Sequence, residues 1–251
     1  MKTLVFSNQK GGVGKSILAY NMAHYFANRG LRVLSIDADQ QANSSSSLTP
    51  YVHRTLFAAD LFTGHPVELQ SQAGTICALA PGKDLGAIER NPDDNALVGS
   101  LKSRLKELDG LFDVAVVDTP GSNSKASNAF LFCANYIVVP AIVDSYSMDV
   151  SINMLKRIAK VQQHYNKNLV NLGLLPNLFD AVAPSQRQDL KQLLQHYADY
   201  VLPAKVSKRT AFRDAAASAE SIWMVQKSSA RQAARELECA FDVIRERMEI
   251  A

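Results

Sequence analysis

The segment Gln9-Lys10-Gly11-Gly12-Val13-Gly14-Lys15-Ser16 constrains the fold more than any other part of the sequence. An apolar run at 3–6 leads into it. Leu18, Met22, Tyr25 and Phe26 follow at the spacing of a helix, which Gly30 closes. The next run, 31–36, is strand-like and stops at Asp37. Strand, glycine-rich turn, helix and strand in that order predict a βαβ unit, the opening of a parallel sheet.

The alternation continues along the chain. Strands are expected at 75–79, 112–117, 136–142, 169–175 and 200–206, and helices at 96–108, 148–164, 184–197 and 228–249. Residues 43–48, Asn-Ser-Ser-Ser-Ser-Leu, read as a mobile loop or the start of a helix, since a run of serines is commonly a flexible surface stretch. There is no internal repeat, low-complexity linker or break in composition across the 251 residues. The expected architecture is therefore a single α/β domain with a doubly wound, mostly parallel sheet and helices on both faces.

An apolar content of 47% excludes disorder over most of the chain. Cys77, Cys133 and Cys239 are too few and too scattered for a disulfide framework or a paired-cysteine metal site, which fits a reducing cytoplasm. Cys133, inside the apolar run 130–134, reads as a core thiol. No segment approaches the ~18 uninterrupted apolar residues of a membrane helix, so a cytosolic protein is expected. The net charge of +3 is uninformative by its size, and its distribution along the chain carries more.

Gly14-Lys15-Ser16 is the second half of a Walker A loop, although Gln9 stands where G-x-x-x-x-G-K-S/T has its first glycine. Glycines there let backbone N–H groups point at a triphosphate, and the helix starting at Lys15 adds its positive end. Lys15 would reach the β- and γ-phosphates and the Ser16 hydroxyl would ligate Mg²⁺. Lys10 is a second lysine in a loop that already has the one needed for a single nucleotide, and it could serve a second nucleotide across a dimer interface. The apolar run 112–117 ends in Asp118-Thr119-Pro120-Gly121. A carboxylate at that strand end can hold Mg²⁺ through water, and the Pro-Gly turn can respond to a γ-phosphate.

These residues resemble the deviant Walker A motif, K-G-G-x-G-K-S/T, of the ParA/MinD family of ATPases. The resemblance implies ATP and Mg²⁺ as cofactors and makes Lys10 the signature lysine that reaches the partner's phosphates in an ATP-sandwich homodimer. The run Asp37-Ala38-Asp39-Gln40-Gln41-Ala42-Asn43 is similar to the family's D-x-D-P-Q-x-N segment. By that match Asp39 orients or activates the attacking water and Asp37 lies near Mg²⁺, while Gln40 in place of proline bears on the hydrolysis rate. The implied catalytic set is Lys10, Lys15 and Asp39, with Ser16, Asp37 and Asp118 around the metal. The implied nucleotide site is Lys10, Gly11, Gly12, Val13, Gly14, Lys15, Ser16 and Ile17, with Asn177 and Pro203 toward the adenine.

Within residues 203–235, seven basic residues face two acidic ones, a net of +5 that leaves the rest of the chain at −2. Such clustering is the footprint of phosphate-backbone contact without base reading. The resemblance places Lys208, Arg209, Arg213 and Arg231 on the nonspecific DNA surface of a partition ATPase, nucleoid-associated when ATP-bound. Because the first strand begins at Thr3, no N-terminal DNA-reading extension is expected, and a ParB-type centromere-binding partner would locate the cargo and stimulate slow hydrolysis. The C-terminal helix has a mixed polar face, with Asp242, Glu246 and Glu249 against Arg245 and Arg247, which argues against a membrane anchor. The competing reading is a MinD-like, conjugation or cargo-positioning ATPase that recruits a protein complex without DNA as matrix. A monomeric kinase or ligase for a small metabolite is a weaker rival.

Overall fold

The computed structural model describes residues 1–63 and 66–250. In chain order its elements are β1 (Lys2–Phe6), α1 (Lys15–Ala27), β2 (Val33–Asp37), α2 (Asn43–Ser46), β3 (Ile76–Leu79), α3 (Leu85–Arg90), α4 (Asp94–Glu107) and β4 (Val114–Asp118). They continue with α5 (Lys125–Cys133), β5 (Tyr136–Ala141), α6 (Ser145–His164), β6 (Val170–Pro176), α7 (Pro184–Tyr197), α8 (Thr210–Ala217) and α9 (Ser228–Arg247). The strands form one parallel sheet in the order β3-β2-β4-β1-β5-β6.

The central strands are near-continuous apolar runs because both of their faces are covered. Alternation along each strand divides the side chains between two cores. Val5, Leu34, Ile36, Ala115, Val117, Ile137 and Val139 face a core completed by α3 to α7. Leu4, Phe6, Val33, Val114, Val116 and Val138 face a second core, completed by α1, α8 and α9. The C-terminal helix spends its apolar stripe there: Ala230, Ala233, Ala234, Leu237, Phe241, Ile244 and Met248 are all buried. Asp93, Ser124 and Asp144 each cap a helix N-terminus, accepting from the N–H groups of Ala96, Ser127 and Ser147 at 2.9, 3.0 and 2.7 Å.

The seventh strand expected at 200–206 does not form. That segment crosses the β6 edge with isolated bridges at Leu174–Val201 and Phe179–Ser207, and Leu202 N–H donates to Leu174 O at 2.8 Å. Pro203 has no N–H to continue a ladder, and at Gly173 (φ +114°) a Cβ would stand 2.7 Å from Tyr200 O. The segment therefore shields the sheet edge without extending it. The serine run takes the helical alternative, forming α2, but it is not a flexible surface stretch: Ser44, Ser45 and Ser47 are buried.

His24 of α1 is buried between the rings of Tyr20 and Tyr51, its Nε2 has no hydrogen-bond partner, and burial pushes its pKa down to about 4. The folded state thus refuses a proton that the unfolded chain accepts below about pH 6.5. The stability linked to His24 is complete above that pH and is lost as pH falls from about 6.5 through 4, roughly 3 kcal/mol in all. Urea unfolding of the wild type and His24→Gln across this range is expected to show a shallower acid decline in the variant. Parallel pH profiles would remove His24 as the cause.

Candidate functional site

Strand register assembles the site. Phe6 pairs with Asp118 and Asp37 pairs with Asp118, so the carboxyl ends of β1, β4 and β2 lie at one edge of the sheet. Open α/β sheets bind ligands in the crevice outside such an edge. The loop leaving β1 is anchored by buried Asn8, whose Nδ2 donates to Pro140 O at 2.7 Å and whose side-chain oxygen accepts from Lys10 N at 3.0 Å. The loop then turns through positive φ at Gly12 and Gly14, and a Cβ on Gly14 would meet Asn177 Nδ2 at 2.3 Å. Asn177 is buried and donates from Nδ2 to Val13 O at 2.7 Å, bracing the loop from beneath.

The Asp118-Thr119-Pro120-Gly121 turn closes against the same loop. A Cβ on Gly121 would lie 3.0 Å from Gly11 Cα and 3.3 Å from Lys15 Nζ, so any larger residue would have to push the loop back by a few tenths of an ångström. Lys15 is buried and donates to Lys10 O at 3.2 Å. Burial lowers its pKa, while Asp118 and Asp39 act in the opposite direction.

Asp118 is fully enclosed, and neither carboxylate oxygen makes a hydrogen bond of regular geometry. Burial first and the neighbouring Asp37 second raise its pKa well above the carboxylate range, against the lowering effects of Ser16, Lys15 and Ser44. Asp37 is also raised by burial, although its oxygens accept from Ser45 N and Ser45 Oγ, each at 2.8 Å, and from Asp39 N at 3.1 Å. The unpartnered carboxylate beside the Ser16 hydroxyl is a pair of oxygen donors that could hold a hard divalent cation. No cluster of three or more metal-ligating side chains occurs among the described residues.

A cavity of about 550 Å³ lies over the loop, lined by Gly11, Gly12, Gly14, Lys15, Ser16 and Asp39 among others. A more apolar cavity adjoins it, with Ile17, Leu18, Asn177, Val206, Phe212 and Leu237 in its wall. Ile17 lines both. Pro203 is exposed and lines neither; Val206 and Lys208 take the wall position assigned to it. Asp39 also borders a polar cavity formed with Gln40, Gln41, Glu89, Pro120 and Ser122. Gln40 packs over α3, its Nε2 3.2 Å from where a Cβ of Gly86 would stand.

Lys10 does not project freely. Its Nζ hydrogen-bonds Ser147 Oγ and lies 4.0 Å from Asp144, and Ser147 Oγ donates to Asp144 at 2.6 Å. The basic residues of the last third are likewise unequal. Arg209 is ion-paired with Glu236, Lys227 lies 3.8 Å from Asp214, and Lys205 sits over the Phe179 ring. Lys208, Arg231 and Arg235 are exposed.

Asn8, Ser44, Ser45 and Glu89 escaped the sequence reading. Glu89 accepts from the N–H groups of Lys125 and Ala126 at 2.9 and 3.2 Å, tying α3 to the first turn of α5. Only Ser45 had a visible signal, a serine eight residues after a strand-ending aspartate.

The sheet edge, the glycine loop, the buried lysine and the orphaned carboxylate define a P-loop nucleoside triphosphatase, distinguished by a second lysine in its loop. A family model described as an AAA domain matches residues 1–171. Protein IncC of Escherichia coli is 34% identical over 262 residues, covering all of this chain and 71% of IncC. The chromosome-partitioning ATPase Soj of Thermus thermophilus is 28% identical over 225 residues, covering 88% of this chain and 87% of Soj. An ATP complex of a Cyanothece McdA variant superposes with a TM-score of 0.83 at 20% identity, over 100% of this chain and 97% of that one. The chain belongs to the ParA/MinD family of P-loop ATPases.

Removing the Asp118 charge is expected to separate stability from activity. Asp118→Asn relieves the buried like-charge pair, so the nucleotide-free variant should melt higher by about 1–2 kcal/mol, roughly 3–6 °C. Its Mg²⁺-dependent ATP hydrolysis should fall at least a hundredfold. A variant with lowered Tm would show that Asp118 stabilises the apo fold instead.

Proposed function

We propose that this chain is a DNA-partition ATPase: an ATP-bound homodimer that holds DNA without sequence preference and is released when a centromere-binding partner of the ParB type stimulates hydrolysis. The observation that carries this reading is the division of labour on α9. Its apolar stripe is buried against the second core, while Arg231 and Arg235, one helical turn apart, face solvent. A helix whose apolar face is already used has no surface to insert into a bilayer, whereas its exposed cations suit a phosphate backbone. No helix among the described residues is long and apolar enough to cross a membrane. Cys133 is half-buried and its thiol is pushed up to about 11 by burial, unlike a ligand of a bridging cluster.

In the nucleotide step, backbone N–H groups of 11–15 cradle the phosphates of ATP and Lys15 neutralises the β- and γ-oxygens. Ser16 and Asp118 would hold Mg²⁺, which supplies charge neutralisation across the same oxygens. Asp39 lines both the phosphate cavity and the polar cavity beside it, which supports a role in orienting the attacking water. Lys10 leaves Asp144 and Ser147 to reach the partner's nucleotide, so dimerisation competes with an intrachain contact.

That competition is measurable. Asp144→Asn keeps a helix-capping acceptor but removes the charge facing Lys10, and exposed pairs contribute about 0.2–1 kcal/mol. The ATP concentration for half-maximal dimerisation should fall by about two- to fivefold in sizing experiments, while Lys10→Ala should fail to dimerise. Unchanged dimerisation by Lys10→Ala would remove the cross-dimer role.

DNA co-sedimentation with ATP, ADP or no nucleotide across salt concentrations tests the function itself. Binding is expected only with ATP and should weaken steeply with salt. Replacing both Arg231 and Arg235 with Glu should reduce DNA affinity at least tenfold with ATP binding retained. Wild-type protein that dimerises with ATP yet ignores DNA would favour a cargo-positioning ATPase with a protein matrix.

A further inference from the structure

The apolar cavity and the phosphate cavity share four lining residues, Gly14, Ile17, Leu178 and Arg213. Arg213 is the one charged residue of the four. It lies on α8, whose Ala211, Phe212 and Ala215 are buried in the second core and fix the helix against the domain. Arg213 is exposed, and among the described residues its guanidinium makes no hydrogen bond or ion pair. Arg209, one turn earlier, is held by Glu236, and Lys227 lies near Asp214. Leu178, which lines the same two cavities, adopts a left-handed backbone (φ +54°), an uncommon conformation for leucine.

The order of the two cavities sets what passes between them. Lys15 and Ser16 mark the terminal phosphates at one end, and Ile17, Leu18, Val206, Phe212 and Leu237 offer an apolar slot for a base at the other. The ribose and α-phosphate of a bound nucleotide occupy the junction. A guanidinium there presents a planar fork of donors suited to phosphate oxygens.

We propose that Arg213 is a nucleotide-binding residue that clamps the α-phosphate of ATP, and that it does not belong to the DNA surface. The proposal rests on the reading of these cavities as the ATP site. It has a structural consequence: nucleotide engagement pulls directly on α8, which follows Lys208 and Arg209 in the chain and packs on the same core as α9. Of the basic segment, Lys208 and Arg209 line the apolar cavity, and Arg213 lines both it and the phosphate cavity.

Because the α-phosphate is common to ATP and ADP, the clamp favours both alike, unlike a sensor of the γ-phosphate. Fluorescent-nucleotide titration of the full chain should show Arg213→Gln binding ATP and ADP each about tenfold more weakly than wild type. Arg213→Lys should recover part of that loss, since it restores charge without the fork. Adenosine, which lacks phosphate, should bind wild type and Arg213→Gln equally. At saturating ATP, the dependence of DNA affinity on salt should be the same for Arg213→Gln and wild type. ATP and ADP affinities within twofold of wild type, with a DNA salt slope reduced by about one unit, would overturn the proposal and return Arg213 to the DNA surface. The nucleotide titrations contain no DNA, so they stand whether or not the chain binds it. A wild type that binds no nucleotide would instead overturn the reading of the cavities.

Discussion

The ladder between β2 and β4 sets Asp37 beside Asp118 where both are almost wholly removed from solvent, and the surrounding loops are arranged about that unfavourable proximity. Burial and like charge both disfavour ionisation. The chain offsets part of this for Asp37 with three hydrogen bonds from Ser45 and Asp39. It leaves Asp118 without any of regular geometry. An unsatisfied buried carboxylate costs stability in the empty protein, and a cation arriving with its nucleotide relieves that cost. Function and stability oppose each other at this position, as they commonly do at strained sites.

Two lysines of one loop show the same economy in different ways. Lys15 is enclosed by the loop and by the approach of Gly121, so its ammonium is fixed in the wall of the cavity over the loop. Lys10 is half-exposed and rests on Asp144 and Ser147 at the start of α6. A contact this exposed is weak enough to exchange for a stronger one with phosphate. The first lysine is held within the loop, and the second would have to leave its contacts at α6 before it could reach elsewhere.

Much of the fold was legible because the apolar runs are short, well separated and bounded by Gly, Pro or Asp. The loop 9–16 was legible because glycine at fixed positions and lysine at the helix start leave few alternatives. The run 200–206 misled because Val201, Leu202 and Val206 have strand character, while Pro203 and the close crossing at Gly173 prevent a ladder. The burial of the serine run was not legible, because composition alone does not show that Asp37 lies within reach of Ser45. Asn8 and Glu89 act through backbone groups distant in sequence, which no local pattern announces.

The sequence by itself determined the order of elements, the chemistry of the phosphate loop and the concentration of positive charge in the last third, since periodicity, glycine placement and charge are local properties. Tertiary structure alone decided how that charge is used. Glu236 reaches Arg209 from α9, the buried stripe of α9 leaves Arg231 and Arg235 outward, and the packing of α8 brings Arg213 to the junction of the two cavities beside the glycine loop. The physical reason is that a cation's role depends on which acids and cavities lie within a few ångströms, and those neighbours are set by packing between segments far apart in the chain.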